Sequence, residues 1–385
     1  MQQSRLRAVF MRGGTSKAVI FHREDLPKDQ AAWAPIFRAV MGSPDPYARQ
    51  LDGMGGGVSS VSKVCVVGPS THLDADVDYT FAQVAVKDGQ VDFSAICGNM
   101  CSAIGPFAID EGLLPCPMDG SAIVRIHNTN TGKLIHAHFH VQGGAAAVVG
   151  EMTLDGVAGA GASIRLDFLH LGGPSTGYLL PTGHACDTLE VPGVGAVTAS
   201  LVDAANPCIF VEARSLGATG IELPGEIERN PELLLKLEAV RRAAAVAMGL
   251  ASDTEAASLM VSLPLIALVA PPADAPLLSG AVLGAGEADI LVRMMSTGQP
   301  HRAVPLTGAL CLAVACRIPG SLPARMVVAT AHDQDIRIGH PSGVIVVAAS
   351  VELQGETVKA RHASAYRTAR RLFKGEVYYR TSVAP

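Results

Sequence analysis

Two short apolar stretches, each entered through a glycine, most constrain what this chain can fold into: Cys97-Gly98-Asn99-Met100-Cys101 and Thr307-Gly308-Ala309-Leu310-Cys311. Aligned on their glycines, Cys101 matches Cys311, Ala103 matches Ala313 and Ile104 matches Val314, and each stretch runs into a helix-stop signal and a new strand. One helix of small and apolar residues in each half points to two similar domains, each built around a central helix.

The rest of the chain reads as strands between turns. Alternating or β-branched runs span 7–10, 18–21, 63–67, 76–86, 122–126, 134–141, 147–152 and 163–168. A second series covers 198–202, 207–211, 258–269, 325–329, 335–338, 344–352 and 356–362. Helical spacing predicts helices over 30–41, 98–111, 231–248, 308–316 and 364–373. The best supported is 231–248, where Leu233, Leu234, Leu237, Val240 and Ala244 recur on one face and Gly249 ends it. Many strands with isolated helices give an α+β class rather than a doubly wound sheet, which needs regular alternation. The Gly-, Pro- and Thr-rich segment 172–196 marks the boundary. The domains are read as 1–185 and 186–385, the last strand being free to return to the first domain.

With 385 residues, 49% of them hydrophobic, the chain can bury sizeable cores. A net charge of −5 with few aromatics offers no footprint for nucleic acid. The first 63 residues carry nine Lys or Arg against five Asp or Glu, a local positive field able to steer an anion. The eight cysteines form no Cys-x-x-Cys pair, which favours reduced thiols and a cytoplasmic location. The apolar run before Arg12 is too short for an export signal, and the most apolar window, 259–272, is interrupted by proline, so no membrane association is expected.

Four groups of residues carry the chemistry. Lys63 follows Ser59, Ser60 and Ser62 on a strand whose alternation turns Lys63 and Cys65 to the face opposite Ser62. A lysine so placed is either a snorkelling surface group or a base, and a base must lose its proton, which burial and nearby cations favour. Cys97, Gly98 and Asn99 open one predicted helix, and Thr307 and Gly308 the other. Free N–H groups at such starts bind carboxylates, and a thiol there is turned toward thiolate unless it is simply buried and inert. The turn Arg12-Gly13-Gly14-Thr15-Ser16 offers hydrogen-bond donors to a carboxylate. Finally, the glycine-rich segment from Arg49 to Gly57 contains no dinucleotide fingerprint, since Val58 stands where glycine is needed. Nor is Gly13-Gly14-Thr15-Ser16-Lys17 a phosphate loop, because the serine precedes the lysine. No metal motif is present beyond His136, His138 and His140 at period two, which read as a polar strand face, and no Gly-x-Ser-x-Gly elbow occurs. The chemistry left is cofactor-free proton transfer on a small anion.

The ordered motifs resemble the PrpF family. They are Met11 to Lys17, Gly42-Ser43-Pro44-Asp45 with Arg49-Gln50-Leu51-Asp52-Gly53, Ser62-Lys63, Asp76-Val77-Asp78-Tyr79 with Gln83, and Cys97-Gly98-Asn99 leading to Gly105-Pro106-Phe107. Further on come Leu180-Pro181-Thr182-Gly183, Asn206-Pro207-Cys208, Thr307-Gly308-Ala309 and His340-Pro341-Ser342-Gly343. The resemblance covers essentially the whole chain. It implies the diaminopimelate-epimerase-like fold, two similar domains each wrapping a curved sheet around a central helix, with the active site in the cleft between them. It also implies no metal or organic cofactor, and an isomerase of unsaturated di- or tricarboxylates of the aconitate, methylaconitate, methylitaconate or oxalomesaconate type. Lys63 is then the general base and Cys97 its neighbour at the substrate. Arg12, Thr15, Ser16, Arg49, Ser62, Gly98, Asn99, Thr307, Gly308, His340 and Ser342 are the expected substrate-binding residues. The epimerase relatives carry a second cysteine where this chain has Thr307, which disfavours a symmetric two-thiol racemase. A further departure is Leu171 to Tyr178, where family members often carry a lysine before Leu-Leu-Pro-Thr-Gly and this chain has Tyr178. Proton return at the far allylic carbon and return after rotation remain two outcomes. A racemase or epimerase of a small acid, or a non-catalytic accessory protein beside an aconitase-like enzyme, are the competing readings. A homodimer is left open.

Overall fold

The computed structural model describes residues 2–93, 96–260, 263–296, 298–328, 334–354 and 357–381. The chain divides into two compact units, Met1–Phe168 with Tyr366–Pro385, and Leu169–Ala365. The boundary read at 185/186 lies further along the chain than this division. The glycine-rich segment belongs to the second unit because buried Asp203 holds it there: its carboxylate accepts hydrogen bonds from Ser175 N, Thr176 N and Thr176 Oγ1.

The first unit contains β1 (Gln2–Gly13), β2 (Ser16–His22), β3 (Lys63–Pro69), β4 (Val77–Val84), β5 (Asp119–Asn128), β6 (Lys133–Gln142) and β7 (Ile164–Leu169), with helices α1 (Trp33–Met41) and α2 (Gly98–Asp110). The second contains β8 (Asp187–Val191), β9 (Gly195–Ala204), β10 (Asn206–Glu212), β11 (Leu265–Ala270), β12 (Ile290–Ser296), β13 (Ile336–His340) and β14 (Gly343–Gln354). Its two longer helices are α3 (Pro231–Ala247) and α4 (Leu306–Cys316), and β15 (Thr357–Arg367) closes it. The last strand, β16 (Ala369–Thr381), returns to pair antiparallel with β1.

Pairing is the same in both units. From β16 through β1, β2, β3, β4, β5 and β6 to β7, only β2–β3 and β4–β5 are parallel. From β8 through β15 in chain order, only β10–β11 and β12–β13 are parallel. In each unit the first parallel step is bridged by an outer helix, α1 or α3, and the second by a central helix, α2 or α4. The architecture is α+β with the diaminopimelate-epimerase-like fold.

Burial separates the two kinds of helix. In α2 every residue from Met100 to Ile109 is buried, and in α4 every residue from Gly308 to Cys316, as expected of helices covered on all sides. Gly105 allows α2 to lie directly on β6, since a Cβ there would stand 2.7 Å from Phe139 and 3.0 Å from Ala137. By contrast α1 buries one face, Trp33, Phe37, Val40 and Met41, against β2 and β3, where Phe21 and Phe37 stack. Each such large side chain removed from water contributes about 1.5–3 kcal/mol.

Four segments differ from the sequence reading. Residues 364–373, read as a helix, run through the end of β15 into β16. Ser364, Ala365, Arg367 and Thr368 are all buried, so the strand is covered on both faces and shows no alternation to betray it. Residues 325–329 were expected as a strand, but Leu322–Met326 is a helix started by Ser321, whose hydroxyl accepts from Ala324 N at 3.1 Å. The run 258–269 is cut: Thr254–Leu259 is a helix capped by Asp253, and β11 begins only at Leu265. Residues 261, 262, 329 and 356 of the predicted runs lie outside the described residues. Of 147–152 only Met152 enters a strand, the short Met152–Leu154. Strands β8 and β12 had no counterpart in the sequence reading, whereas the last strand was expected to be free to return to the first domain, without the bounds of β16.

Candidate active site

In the first unit Lys63 is the first residue of β3 and is buried, 8% exposed. Its Nζ donates to Gln83 Oε1 and sits 5.1 Å from the centre of the Phe81 ring. Gln83 and Phe81 both project from β4, opposite β3 in register. The Gln83 amide is oriented by its other end, since Nε2 donates to Ser59 O and Ser62 O at 3.1 and 2.9 Å, so only the oxygen can face Lys63. Among the described residues no carboxylate lies within ion-pair distance of Lys63. A buried lysine held by an amide oxygen and an aromatic face, with no counter-charge, is an unusual placement for a structural side chain.

Next to Lys63 on the same face of β3 is Cys65, fully buried. Burial first, and then the nearby Cys97, push its thiol up, and its Sγ lies 3.9 Å from Tyr79 Oη. Cys97 is the N-cap of α2 and is half-buried. The first intrahelical bond, Cys101 N to Cys97 O, is 3.1 Å long, so the N–H groups of Gly98, Asn99 and Met100 precede the ladder. Cys101 Sγ also donates to Cys97 O at 3.2 Å, and burial drives that thiol well up. Of these thiols, only Cys97 is accessible.

The turn between β1 and β2 meets this helix start. Gly14 takes φ 52°, and a Cβ on Gly13 would fall 2.7 Å from Asn99 O, so the two glycines let the turn touch the helix. Asn99 Nδ2 donates to Thr15 Oγ1 at 3.0 Å, and Thr15 is exposed while Ser16 is buried. Half-buried Arg12 spends Nη1 on Gly14 O and Thr368 O, both at 2.9 Å, bracing the turn from behind. Burial and the charge of Arg370 hold its guanidinium below its ordinary value.

Two further expected binding residues of this unit, Ser62 and Arg49, are placed differently. Ser62 is fully buried, donates to Val84 O at 2.8 Å and accepts from Gln50 Nε2 at 2.7 Å. Arg49 is exposed and lines a surface groove of about 810 Å³ with Arg38, Asp45, Asp52, Tyr378 and Arg380, none of them among the chemical residues above. Its mixed charges set it apart from the buried lysine. The residue that sequence reasoning missed is Gln50. Its amide bridges Ser43 and Ser62 and accepts Gly57 N at 3.0 Å, tying the glycine-rich segment to the residue before Lys63. A Cβ on Gly55 would stand 2.2 Å from that amide, which accounts for one glycine of the run.

In the second unit α4 begins at Leu306, two residues earlier than expected, and Ala309 N to Pro305 O at 2.9 Å is its first bond. Thr307 Oγ1 accepts from Asn206 Nδ2 at 3.0 Å, the tip of the β9–β10 hairpin, where Ala205 takes φ 64°. Gly308 serves packing: a Cβ would meet Met294 Sδ at 2.4 Å. Between β13 and β14, buried His340 accepts Ser342 N at Nδ1, 3.2 Å away, and its imidazole is pushed down to about 4 by burial, Arg293 and His301. Ser342 Oγ donates to Arg302 O at 2.7 Å, so it shapes the turn. Tyr178, at the family-divergent loop, is 70% exposed. Among the described residues no cluster of three potential metal ligands occurs, and in the period-two histidine row His138 instead pairs with Asp167 at 3.0 Å.

Residues 3–380 match the PrpF protein family. The chain belongs to the PrpF family. It is 40% identical to 3-methylitaconate isomerase of Eubacterium barkeri, over 98% of this chain and 97% of that one. It is 39% identical to 2-methyl-aconitate isomerase of Shewanella oneidensis, over 97% of each chain, and 38% identical to (4E)-oxalomesaconate Delta-isomerase of a Novosphingobium species, over 96% of each. The crystal structure of methylitaconate-delta-isomerase superposes with a TM-score of 0.93 at 39% identity, covering 100% of this chain and 99% of that one. The PrpF membership thus extends over both units, and the shared fold is that of a solved isomerase. No described helix is long and apolar enough to cross a membrane.

Proposed function

We propose that this PrpF-family isomerase moves a proton on a small unsaturated di- or tricarboxylate, with Lys63 as the general base and without a metal or organic cofactor. The observation that carries the reading is the buried, carboxylate-free Lys63 held by Gln83 and Phe81. Lys63 takes a proton from the carbon next to the double bond. Negative charge then spreads into a conjugated carboxylate, and donors at the α2 start and the Gly13–Ser16 turn stabilise it as it develops. The proton returns to the far allylic carbon, giving a shifted double bond, or to the first carbon after rotation, giving a cis-trans isomer. The acids for which the relatives are named, methylitaconate, methylaconitate and oxalomesaconate, are all substrates on which such a transfer works. Cys97, accessible beside the helix start, is the candidate second proton carrier. Eight free cysteines suit a reducing, cytoplasmic setting.

The test is an NMR screen in deuterated water with trans-aconitate, methylitaconate, methylaconitate and oxalomesaconate. Wild type is expected to exchange allylic protons of at least one acid, and Lys63→Ala to lose that exchange by 1000-fold or more. Exchange that survives the substitution overturns the assignment of the base. Exchange confined to the α-proton of a saturated acid, and dependent on Cys97, supports an epimerase instead. Dialysis against EDTA is expected to leave the rate unchanged, and a rate that falls and returns with added metal refutes cofactor independence.

A further inference from the structure

The first unit completes its turn with residues from the far end of the sequence. At the junction of β15 and β16, Thr368 O accepts Gly14 N at 2.9 Å as well as Arg12 Nη1. Beside it, Arg367 Nε donates to Asn99 Oδ1 at 3.1 Å and Nη1 to Tyr366 O at 2.7 Å. Arg367 is 7% exposed, and among the described residues it makes no ion pair with a carboxylate. Burial alone holds its guanidinium at about 10. Keeping an unpaired guanidinium inside a protein is costly, so its retention asks for a reason beyond packing.

Donor and acceptor capacity supplies one. A guanidinium can only donate, so the Asn99 oxygen must face Arg367 and the Asn99 nitrogen must face Thr15. That nitrogen can only donate, so Thr15 Oγ1 is the acceptor of this bond and its own proton must point elsewhere. Among the described residues it has no acceptor, and Thr15 is exposed. We infer that Arg367 is a positioning residue that locks the Asn99 amide, so that Thr15 offers its hydroxyl proton to a carboxylate oxygen of the substrate. The second unit repeats the polarity with the elements exchanged: there the hairpin's Asn206 amide donates to the helix's Thr307 hydroxyl. The inference rests on reading the α2 start as part of the substrate site, and it adds a selectivity. This position favours a carboxylate or carbonyl oxygen, to which the Thr15 hydroxyl donates.

A double-mutant cycle tests it, using whichever acid of the panel wild type exchanges fastest. Thr15→Val removes one hydrogen bond to a charged group and is expected to raise KM about 10- to 100-fold with kcat nearly unchanged. In an Arg367→Met background the amide is free to turn, and Thr15→Val is expected to add less than 3-fold. Arg367→Lys, which still donates, is expected to restore most of the Thr15 effect. Should Arg367→Met fail to fold by circular dichroism, Asn99→Asp serves. It keeps a partner for Arg367 but has no N–H for Thr15, so the hydroxyl turns inward and Thr15→Val costs little there. An equal Thr15→Val penalty in wild type, Arg367→Met and Asn99→Asp overturns the inference. Lys63→Ala in parallel separates the two readings: loss of exchange with an additive cycle sinks only the role of Arg367, whereas exchange that persists sinks the site itself.

Discussion

At the scale of single residues, the environment of Lys63 is set by neutral groups, and that neutrality is testable. Gln83→Glu replaces the amide oxygen beside Lys63 by a carboxylate of the same shape, and an opposite charge at hydrogen-bond distance favours the ammonium form. The pH at which kcat reaches half its maximum is expected to move up by about 1–3 units, with a lower melting temperature because a carboxylate has no N–H for Ser59 O and Ser62 O. A pH profile identical to wild type would count against Lys63 as the base. In the second unit, His340 titrates at about 4 in the folded chain against about 6.5 unfolded, because burial, Arg293 and His301 disfavour its charged form. The unfolded chain therefore binds more protons between those values, and stability is present above about pH 6.5 and falls as the pH drops toward 4. The slope amounts to about 3 kcal/mol in total. Urea midpoints at pH 7 and pH 5 should differ by less in His340→Asn than in wild type, and an undiminished difference assigns the acid sensitivity to other groups.

At the scale of elements, each unit clasps a hairpin turn onto the start of its buried helix, and glycines decide how closely. A Cβ on Gly13 meets the carbonyl oxygen of Asn99 at 2.7 Å, a backbone atom fixed by α2. On Gly308 it meets the Met294 side chain, whose flexible end can give. Gly13→Ala is thus expected to cost 2 kcal/mol or more with loss of activity, and Gly308→Ala about 1 kcal/mol, as read from denaturation midpoints. The reverse order would mean that Met294 is the more rigid neighbour. Both helices were legible in the sequence because a glycine entry followed by uninterrupted small and apolar residues leaves few alternatives. An inward-facing Lys63 was one of two readings the sequence allowed, and only the family resemblance favoured a base over a snorkelling surface group; alternation could not decide, because the strand begins at Lys63 and both it and Ser62 are buried. What was hidden were residues whose meaning lies in distant partners. Gln50, Asp203 and Arg367 read as ordinary polar side chains until the fold brings Ser62, the 173–177 loop and Asn99 to them. Residues 364–373 misled for a related reason: a stretch that is buried on both faces up to Ala369 and rich in alanine and arginine carries helical propensity and shows no period of two there.

At the scale of the whole molecule, the repeated pairing order means that one strand plan is used twice, but the chain closes the two copies differently. The second unit is contiguous from Leu169 to Ala365, whereas the first takes its outermost strand, β16, from the end of the sequence. That strand does more than lengthen the sheet. Glu111, at the C-terminal end of α2 where the helix dipole disfavours a carboxylate, is buried at 2% side-chain exposure and pairs with Arg371 at 2.7 Å and Lys374 at 3.0 Å on β16, and with His22 on β2. Burial opposes its ionisation, but the bonds from Lys374 and His22 and the charge of Arg371 outweigh it and hold the carboxyl below its ordinary value. A depressed carboxyl contributes stability above the unfolded value of about 4.3 that is lost as the pH falls through the folded one, so Glu111→Gln should flatten the acid limb of the stability curve. Removing residues 369–381 strips two cations from that buried carboxylate and leaves β1 as an open edge, at an expected cost of at least 3–5 kcal/mol. Because β16 follows the whole second unit in the chain, the first unit cannot close until the second has been synthesised. Limited proteolysis of chains arrested after residue 365 is therefore expected to spare 169–365 and to cut within 2–168. Equal protection of both segments at that length would show that β16 is dispensable to the first unit's core.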